Sequence, residues 1–208
     1  MLTLTMKTMR HVPVLLAVLM LSASLAFSQS ATSATATSPV KELTLQVDPA
    51  KSGADITLPT ALHTVEGSFA LKRGTIHYDA ATGKASGEIV FDASSGKTGN
   101  GSRDNKMHKD VIESSRYAEI TFHPDRVEGT VSASGTSAVK VHGMFGIHGT
   151  EHEMTMPVDF TLNGNTWSAT STFQVPFVQW GMKDPSVFIL RVNKIVQVKM
   201  HAGGSTAP

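Results

Sequence analysis

The residues best equipped for chemistry sit in one polar stretch, TGNGSRDNKMHKDVIESSRY, from Thr98 to Tyr117. Asn100, Arg103 and Asp104 open it, and an Arg–Asp pair offers two chemistries. The guanidinium can clamp an anionic head group, since its planar fork matches phosphate. The same pair can instead be a structural tie that pins its own loop. A second polar cluster, His148, Glu151, His152 and Glu153, has side chains that ligate metals, yet an exposed hairpin turn is polar anyway. We read no metal site there. His-E-x-x-His spacing is absent, which removes the zinc-protease reading. GNGSR and SASGT do not supply the Gly-x-Ser-x-Gly elbow of a serine hydrolase. With no cysteine in the chain, thiol catalysis, disulfides and Cys-ligated zinc are excluded. No catalytic constellation, metal site or cofactor is expected.

The elements around this stretch have a period of two. LTLQV, ADITL, HTVEGSFALK, TIHYD, ASGEIVF, EITFH, RVEGTV, AVKVHGMFGIH, EMTMPVDFTL, NTWSATSTFQV and IVQVKMH alternate or are short and apolar, with turn formers between them. Their spacing predicts an all-β antiparallel sandwich or barrel of about eight or nine strands. Asn163-Gly164 marks a tight hairpin. A helix is expected only within Ser102 to Val111, where Ser102 can cap and Met107 pairs with Val111 at i,i+4. A single helical turn is expected around Asp184 to Val187. Gly67, Ala85, Gly87, Gly143, Ala169 and Ser171 fall on inward faces. Small residues there bend strands or leave room for a ligand. Eight strands is the size at which a barrel either fills itself or holds one small molecule.

The N-terminus has a different composition. Lys7 and Arg10 precede VPVLLAVLMLSASLA, and small residues follow at Ser24, Ala26 and Ser28. This is the pattern of an exported protein's signal peptide over residues 1–28; a membrane-spanning helix needs ~20 apolar residues. Residues 29–40 form a Ser/Thr/Ala-rich leader expected to be flexible, 41–202 the folded domain, and 203–208 a disordered tail. The whole chain carries 18 Lys+Arg against 17 Asp+Glu, and loss of Lys7 and Arg10 leaves 16 against 17. Such balance gives no drive toward nucleic acid. With the signal removed, no integral membrane segment remains and a periplasmic or secreted location is expected.

Three motifs in order carry a family resemblance. VDPAKS (Val47 to Ser52) resembles the opening Asp-x-x-His-Ser of the YceI-like polyisoprenoid-binding family. TGNGSRDNKMHKDVIESSRYAEITF (Thr98 to Phe122) resembles its TGN-x-x-RD loop, with Asn100, Arg103 and Asp104 keeping identity and spacing. IHGTEHEMTMPVDF (Ile147 to Phe160) resembles its His-Gly-Thr hairpin. The chain departs from the pattern at Lys51 in place of the opening His, at Ala118 in place of Pro, and at VPFVQWGMKDPSVFILRV, rich in Phe177, Trp180, Met182 and Phe188.

The resemblance implies a lipocalin-like eight-stranded antiparallel barrel, with one short helix in a long loop across one end. It implies a binding protein, not an enzyme, whose apolar interior takes an isoprenoid lipid of the polyprenyl phosphate or quinone type for transport, storage or scavenging. The ligand-facing set is then Phe69, Ile89, Phe91, Met107, Val111, Ile112, Phe122, Phe173, Phe177 and Trp180, with Trp180 beside Gly181 at the mouth. Asn100, Arg103 and Asp104 hold the loop or the head group. Two rival readings stay open. One is an enzyme on a lipophilic substrate, drawing on His77, His123, Tyr78 or Asp159, of which alternation turns only Tyr78 inward. The other is a filled barrel that binds a protein partner in envelope stress. Whether two barrels pair as a homodimer is also open.

Overall fold

A computed structural model describes residues 42–187 and 191–207. The expected signal peptide, almost all of the leader-to-domain junction and Phe188 lie outside the described residues. Nine strands are present: β1 (Glu42–Val47), β2 (Gly53–Pro59), β3 (Thr64–Asp79), β4 (Lys84–Asp92), β5 (Glu119–Glu128), β6 (Gly135–Ile147), β7 (Thr150–Asn163), β8 (Thr166–Val175) and β9 (Val196–Ala207). Every pairing among them is antiparallel. β1 and β2 are two halves of one barrel position. Each pairs with β3 on one side and β9 on the other, so nine strands close an eight-position barrel.

The break between the halves is VDPAKS. Asp48 accepts a hydrogen bond from the Ala50 amide at 3.0 Å, and Pro49–Lys51 make one 3₁₀ turn, for which proline's fixed φ is well suited. The Ser52 hydroxyl donates to the Asp48 carbonyl at 2.8 Å and accepts from the Gly203 amide at 3.1 Å. A ladder that would otherwise open at the kink is thereby sewn to β9.

Several sequence expectations need correction. HTVEGSFALK and TIHYD are one strand, β3, with an irregularity between Leu71 and Arg73. RVEGTV is not a separate strand; β5 carries through Pro124 to Glu128 with a register shift. Residues 184–187 contain no helical turn; the turn lies earlier, at 177–181. The β7–β8 hairpin turns on Gly164 and Asn165, one place later than Asn163-Gly164, with Asn163 paired to Thr166. The tail expected from 203 is strand to Ala207, paired with both β1 and β8. Its small residues are what the close approach demands: a Cβ on Gly204 would sit 1.9 Å from the Gln46 carbonyl oxygen. Gly87 is exposed and has φ +107°, so it bends β4 instead of lining the interior.

The interior is apolar. Phe69, Leu71, Phe91, Phe122, Phe145, Met156, Phe160, Trp167, Val198 and Met200 are all buried, and most alternate with more exposed neighbours as a two-residue period requires, Val90 beside Phe91 being an exception. The one buried polar group facing in from β8, Ser171, donates its hydroxyl to the Pro157 carbonyl at 2.7 Å. Outside, the β3 irregularity turns two consecutive cations, Lys72 and Arg73, to the same exposed face, the usual effect of a bulge. Both reach Glu119, Lys72 Nζ at 2.8 Å and Arg73 Nη1 at 2.8 Å.

The hydrogen bonds from Arg73, then those from Lys72, hold the Glu119 carboxyl down at about 2 against an ordinary 4.5. A depressed carboxyl pKa stabilises the fold above the unfolded value and stops doing so as pH falls through the folded value. Acid titration of the native protein, followed by circular dichroism with urea, is therefore expected to show stability falling between about pH 4.5 and 2. Glu119→Gln should be less stable at neutral pH and should converge on the parent at the acid end. A constant difference across that window would contradict the assignment.

Candidate functional site: an apolar chamber under a helical loop

The polar stretch crosses one end of the barrel. It leaves β4 through a 3₁₀ turn at Ala93–Ser95 and is bonded to β3 in both directions, Ser68 N to Lys97 O at 2.8 Å and Lys97 N to Ser68 O at 3.0 Å. Gly67 makes that docking fit, since a Cβ there would lie 2.7 Å from the Lys97 carbonyl oxygen. Helix α1 (Gly101–Lys106) then forms with Asn100 as its N-cap, the side chain accepting from the Arg103 amide at 3.0 Å. Asn is among the preferred residues at that position. The expected helix is thus present, starting at Gly101 and capped by Asn100 rather than Ser102.

From Met107 to Val111 the helix widens into a π turn, closed by Ile112 N to Met107 O at 2.9 Å. Such turns are rare and cluster at functional sites. Here the wider turn sets Met107, Val111 and Ile112 on one face, and all three line the cavity below.

Arg103 and Asp104 do not form an ion pair with each other. Both act on Thr98. Arg103 donates from Nε to the Thr98 hydroxyl and from Nη2 to the Thr98 carbonyl, each at 2.7 Å. Asp104 accepts from the Thr98 amide at 2.9 Å and from its hydroxyl. Those bonds, the Thr98 hydroxyl first, draw the Asp104 carboxyl below its usual range. His108 adds a cross-brace, with Nε2 2.8 Å from the Gly96 carbonyl oxygen and Nδ1 3.1 Å from the Ser114 hydroxyl. A carbonyl only accepts, so Nε2 carries the proton. Thr98 and His108 are the anchors that reading the residues by type did not single out.

Beneath the loop is a cavity of about 460 Å³, inside the ~300–1,000 Å³ range of small-molecule sites. Of the sequence-selected residues, Phe69, Phe91, Met107, Val111, Ile112, Phe122, Phe173 and Phe177 line it, as do Asn100 and Arg103. Asp104 does not; it faces Thr98. Ile89 lines a separate, smaller cavity toward the opposite end of the barrel. Trp180 lines neither cavity. It stacks on His152, ring centroids 4.0 Å apart and 5° from parallel, and leans on Phe145 at 5.8 Å. The 177–181 turn carries it sideways onto the β6–β7 hairpin, while Phe177 and Met182 enter the wall.

The polar part of the wall is confined to the rim: Thr60, His63, Thr98, Asn100, Ser102, Arg103 and Lys106. Among the described residues its charge is wholly cationic, since no acidic residue lines the cavity. Lys106 Nζ donates to the Pro185 carbonyl at 3.2 Å, using one of its three donors.

The second polar cluster is separate from the cavity. His148 and Gly149 are the two turn residues of the β6–β7 hairpin, at φ +53° and +74°. Two left-handed residues make the type of turn that suits a tight hairpin. Tyr117 closes over them, 4.6 Å from the His148 ring, so the end of the polar loop docks on this turn. Burial pushes the His152 imidazole below its ordinary pKa. Among the described residues no group of three or more His, Asp or Glu is placed to hold a metal ion.

Thr98 is the hub of the loop, and Thr98→Val removes its hydroxyl from both Arg103 and Asp104. The expected result is a lower unfolding midpoint, since Arg103 and Asp104 both lose a hydrogen-bond partner. Amide hydrogen exchange should accelerate across 98–112 while the barrel strands keep their protection. Equal acceleration in β7 and β8 would show that the loop is not an independent unit.

Three solved structures share the fold. BcnA of Burkholderia cenocepacia is 22% identical, with a TM-score of 0.63, and the match covers 76% of this chain and 99% of that one. A polyisoprenoid binding domain from Saccharophagus degradans is 14% identical, with a TM-score of 0.60, over 78% and 98%. The YceI protein of Campylobacter jejuni is 14% identical, with a TM-score of 0.57, over 69% and 86%. No curated protein sequence matches the chain. The model of the YceI-like domain matches residues 45–203, from β1 into the last strand of the barrel, and the chain therefore belongs to the YceI-like domain family.

Proposed function

We propose that this protein is an exported, non-catalytic carrier whose barrel holds the tail of an isoprenoid lipid, with the head group at the rim under α1. The observation that carries the reading is the 460 Å³ chamber itself, walled by Phe69, Phe122, Phe173 and Val198 and roofed by Met107, Val111 and Ile112. A folded protein leaves few voids larger than a water molecule. An unfilled apolar chamber of this size, with polarity at one end only, suits an amphiphile with a long hydrocarbon tail. Burial at ~25 cal/mol per Å² of apolar surface drives binding without a charged contact. The similarity to a polyisoprenoid binding domain supports an isoprenoid over a straight acyl chain. The N-terminal composition supports export to the periplasm or beyond.

The cationic rim favours a phosphate head group. Lys106 and Arg103 stand where the head would rest, and a quinone head would use the same donors with less electrostatic gain. The enzymatic alternative needs an inward acid or base. Tyr78 is the inward-facing candidate, and burial raises its pKa, which keeps the phenol protonated and unavailable as a base near neutral pH. His77 and Asp159 are exposed and His123 lies on the outward face of β5.

Native mass spectrometry of the protein from an exported fraction, followed by solvent extraction, tests the reading. A co-purifying polyprenyl species is expected, and stripped protein should take up added polyprenyl phosphate. Phe173→Glu, which sets a carboxylate in the chamber wall, should weaken uptake at least about tenfold while circular dichroism stays that of a β-barrel. Stripped wild-type protein that takes up neither polyprenyl phosphate nor an isoprenoid quinone would contradict it.

A further inference from the structure

Among the described residues the barrel interior holds a second cavity besides the chamber under the loop. The second cavity, about 100 Å³, lies toward the end that carries the β3–β4 and β7–β8 hairpins, walled by residues such as Tyr78, Ala85, Ile89 and Ala169. Among the described residues, only Phe122, Met156 and Met200 line both cavities. They come from β5, β7 and β9, alternate positions around the barrel, and inward side chains from alternate strands meet in one layer. All three are buried, at 4%, 1% and 6% exposure.

We propose that this Phe122–Met156–Met200 layer is the determinant of ligand tail length: the tail ends against it, and the far chamber is left empty. The inference rests on the lipid-carrier reading above. The far chamber is built for hydrocarbon. Its Trp167 Nε1–H is already given to the Ser205 carbonyl at 3.1 Å, so it offers a head group little, and a tail penetrating the waist would fill it. Met156 is the residue that decides. It is the more buried of the two methionines, and its side chain is unbranched, so truncation opens the passage without altering strand pairing. Phe122 adds a rigid ring that also lines both cavities. Ala169 is a small residue in the far chamber, and a larger side chain there fills that space without touching the near one.

The test is binding of a graded series of all-trans prenyl monophosphates, each one isoprene unit longer than the last, by native mass spectrometry competition. Three proteins are compared: the parent, Met156→Ala and Ala169→Leu. The parent should show an optimum length beyond which affinity stops rising. Met156→Ala should move that optimum up by at least one unit and favour the longer tails about tenfold, the scale expected for filling a void of this size. Ala169→Leu should leave the parent optimum unchanged. A folded Met156→Ala with the parent's optimum would overturn the proposal, and so would an Ala169→Leu optimum shorter than the parent's. The second result stays decisive even where Met156→Ala does not fold. Failure of the parent to bind any member of the series would instead sink the carrier reading.

Discussion

The structure depends on closure of the backbone ladder at one awkward place. An eight-position barrel has no free edge only when its first and last strands meet, and here the first is broken in two. The Asp48–Ser52 turn absorbs the break, and the Ser52 hydroxyl bonds Gly203 where the ladder would otherwise gap. Closure removes the exposed edges that promote aggregation. It also sets the circumference, and with it the interior volume that side chains must fill or leave empty.

From that constraint the rest follows in order. The wall supplies large apolar side chains in alternation, yet they do not meet across the near end, where about 460 Å³ stays open. Water gains nothing in such a space, so the opening must be roofed, and the roof must be polar outside and apolar inside. The loop from Thr98 to Tyr117 satisfies both demands. The Lys97–Ser68 backbone bonds and Tyr117 pin it to the barrel, Thr98 and His108 brace it internally, and the π turn lowers Met107, Val111 and Ile112 into the chamber. Cations at the rim and hydrocarbon beneath define the kind of molecule that fits.

Much of this was legible in the residues. Strand alternation and the helix in the loop follow from period and spacing, whereas the inward direction of Met107, Val111 and Ile112 comes from the family resemblance. Two residues of the ligand-facing set, Trp180 and Ile89, lie away from the near chamber for identifiable reasons. Trp180 follows a turn, where alternation carries no direction, and the turn sends it to His152. Ile89 faces inward as expected, but facing inward does not say at which depth. Asp104 keeps the family spacing but serves Thr98. The strand to Ala207 was misread because Gly203, Gly204 and Ser205 resemble a tail in composition; only the Gln46 carbonyl next to Gly204 explains why small residues are required. The Phe122–Met156–Met200 layer was invisible because it joins three strands far apart in the chain.

The most direct test of the account is methionine methyl NMR on protein labelled with [methyl-¹³C]methionine, titrated with a prenyl monophosphate. Met107, Met156, Met182 and Met200 line the near chamber, whereas Met144 lies on the outward face of β6. A tail bound inside the barrel predicts shifts at the four chamber methyls and none at Met144. A ligand that binds while shifting Met144 alone, or no chamber methyl, would place the lipid on the outside and contradict the central claim.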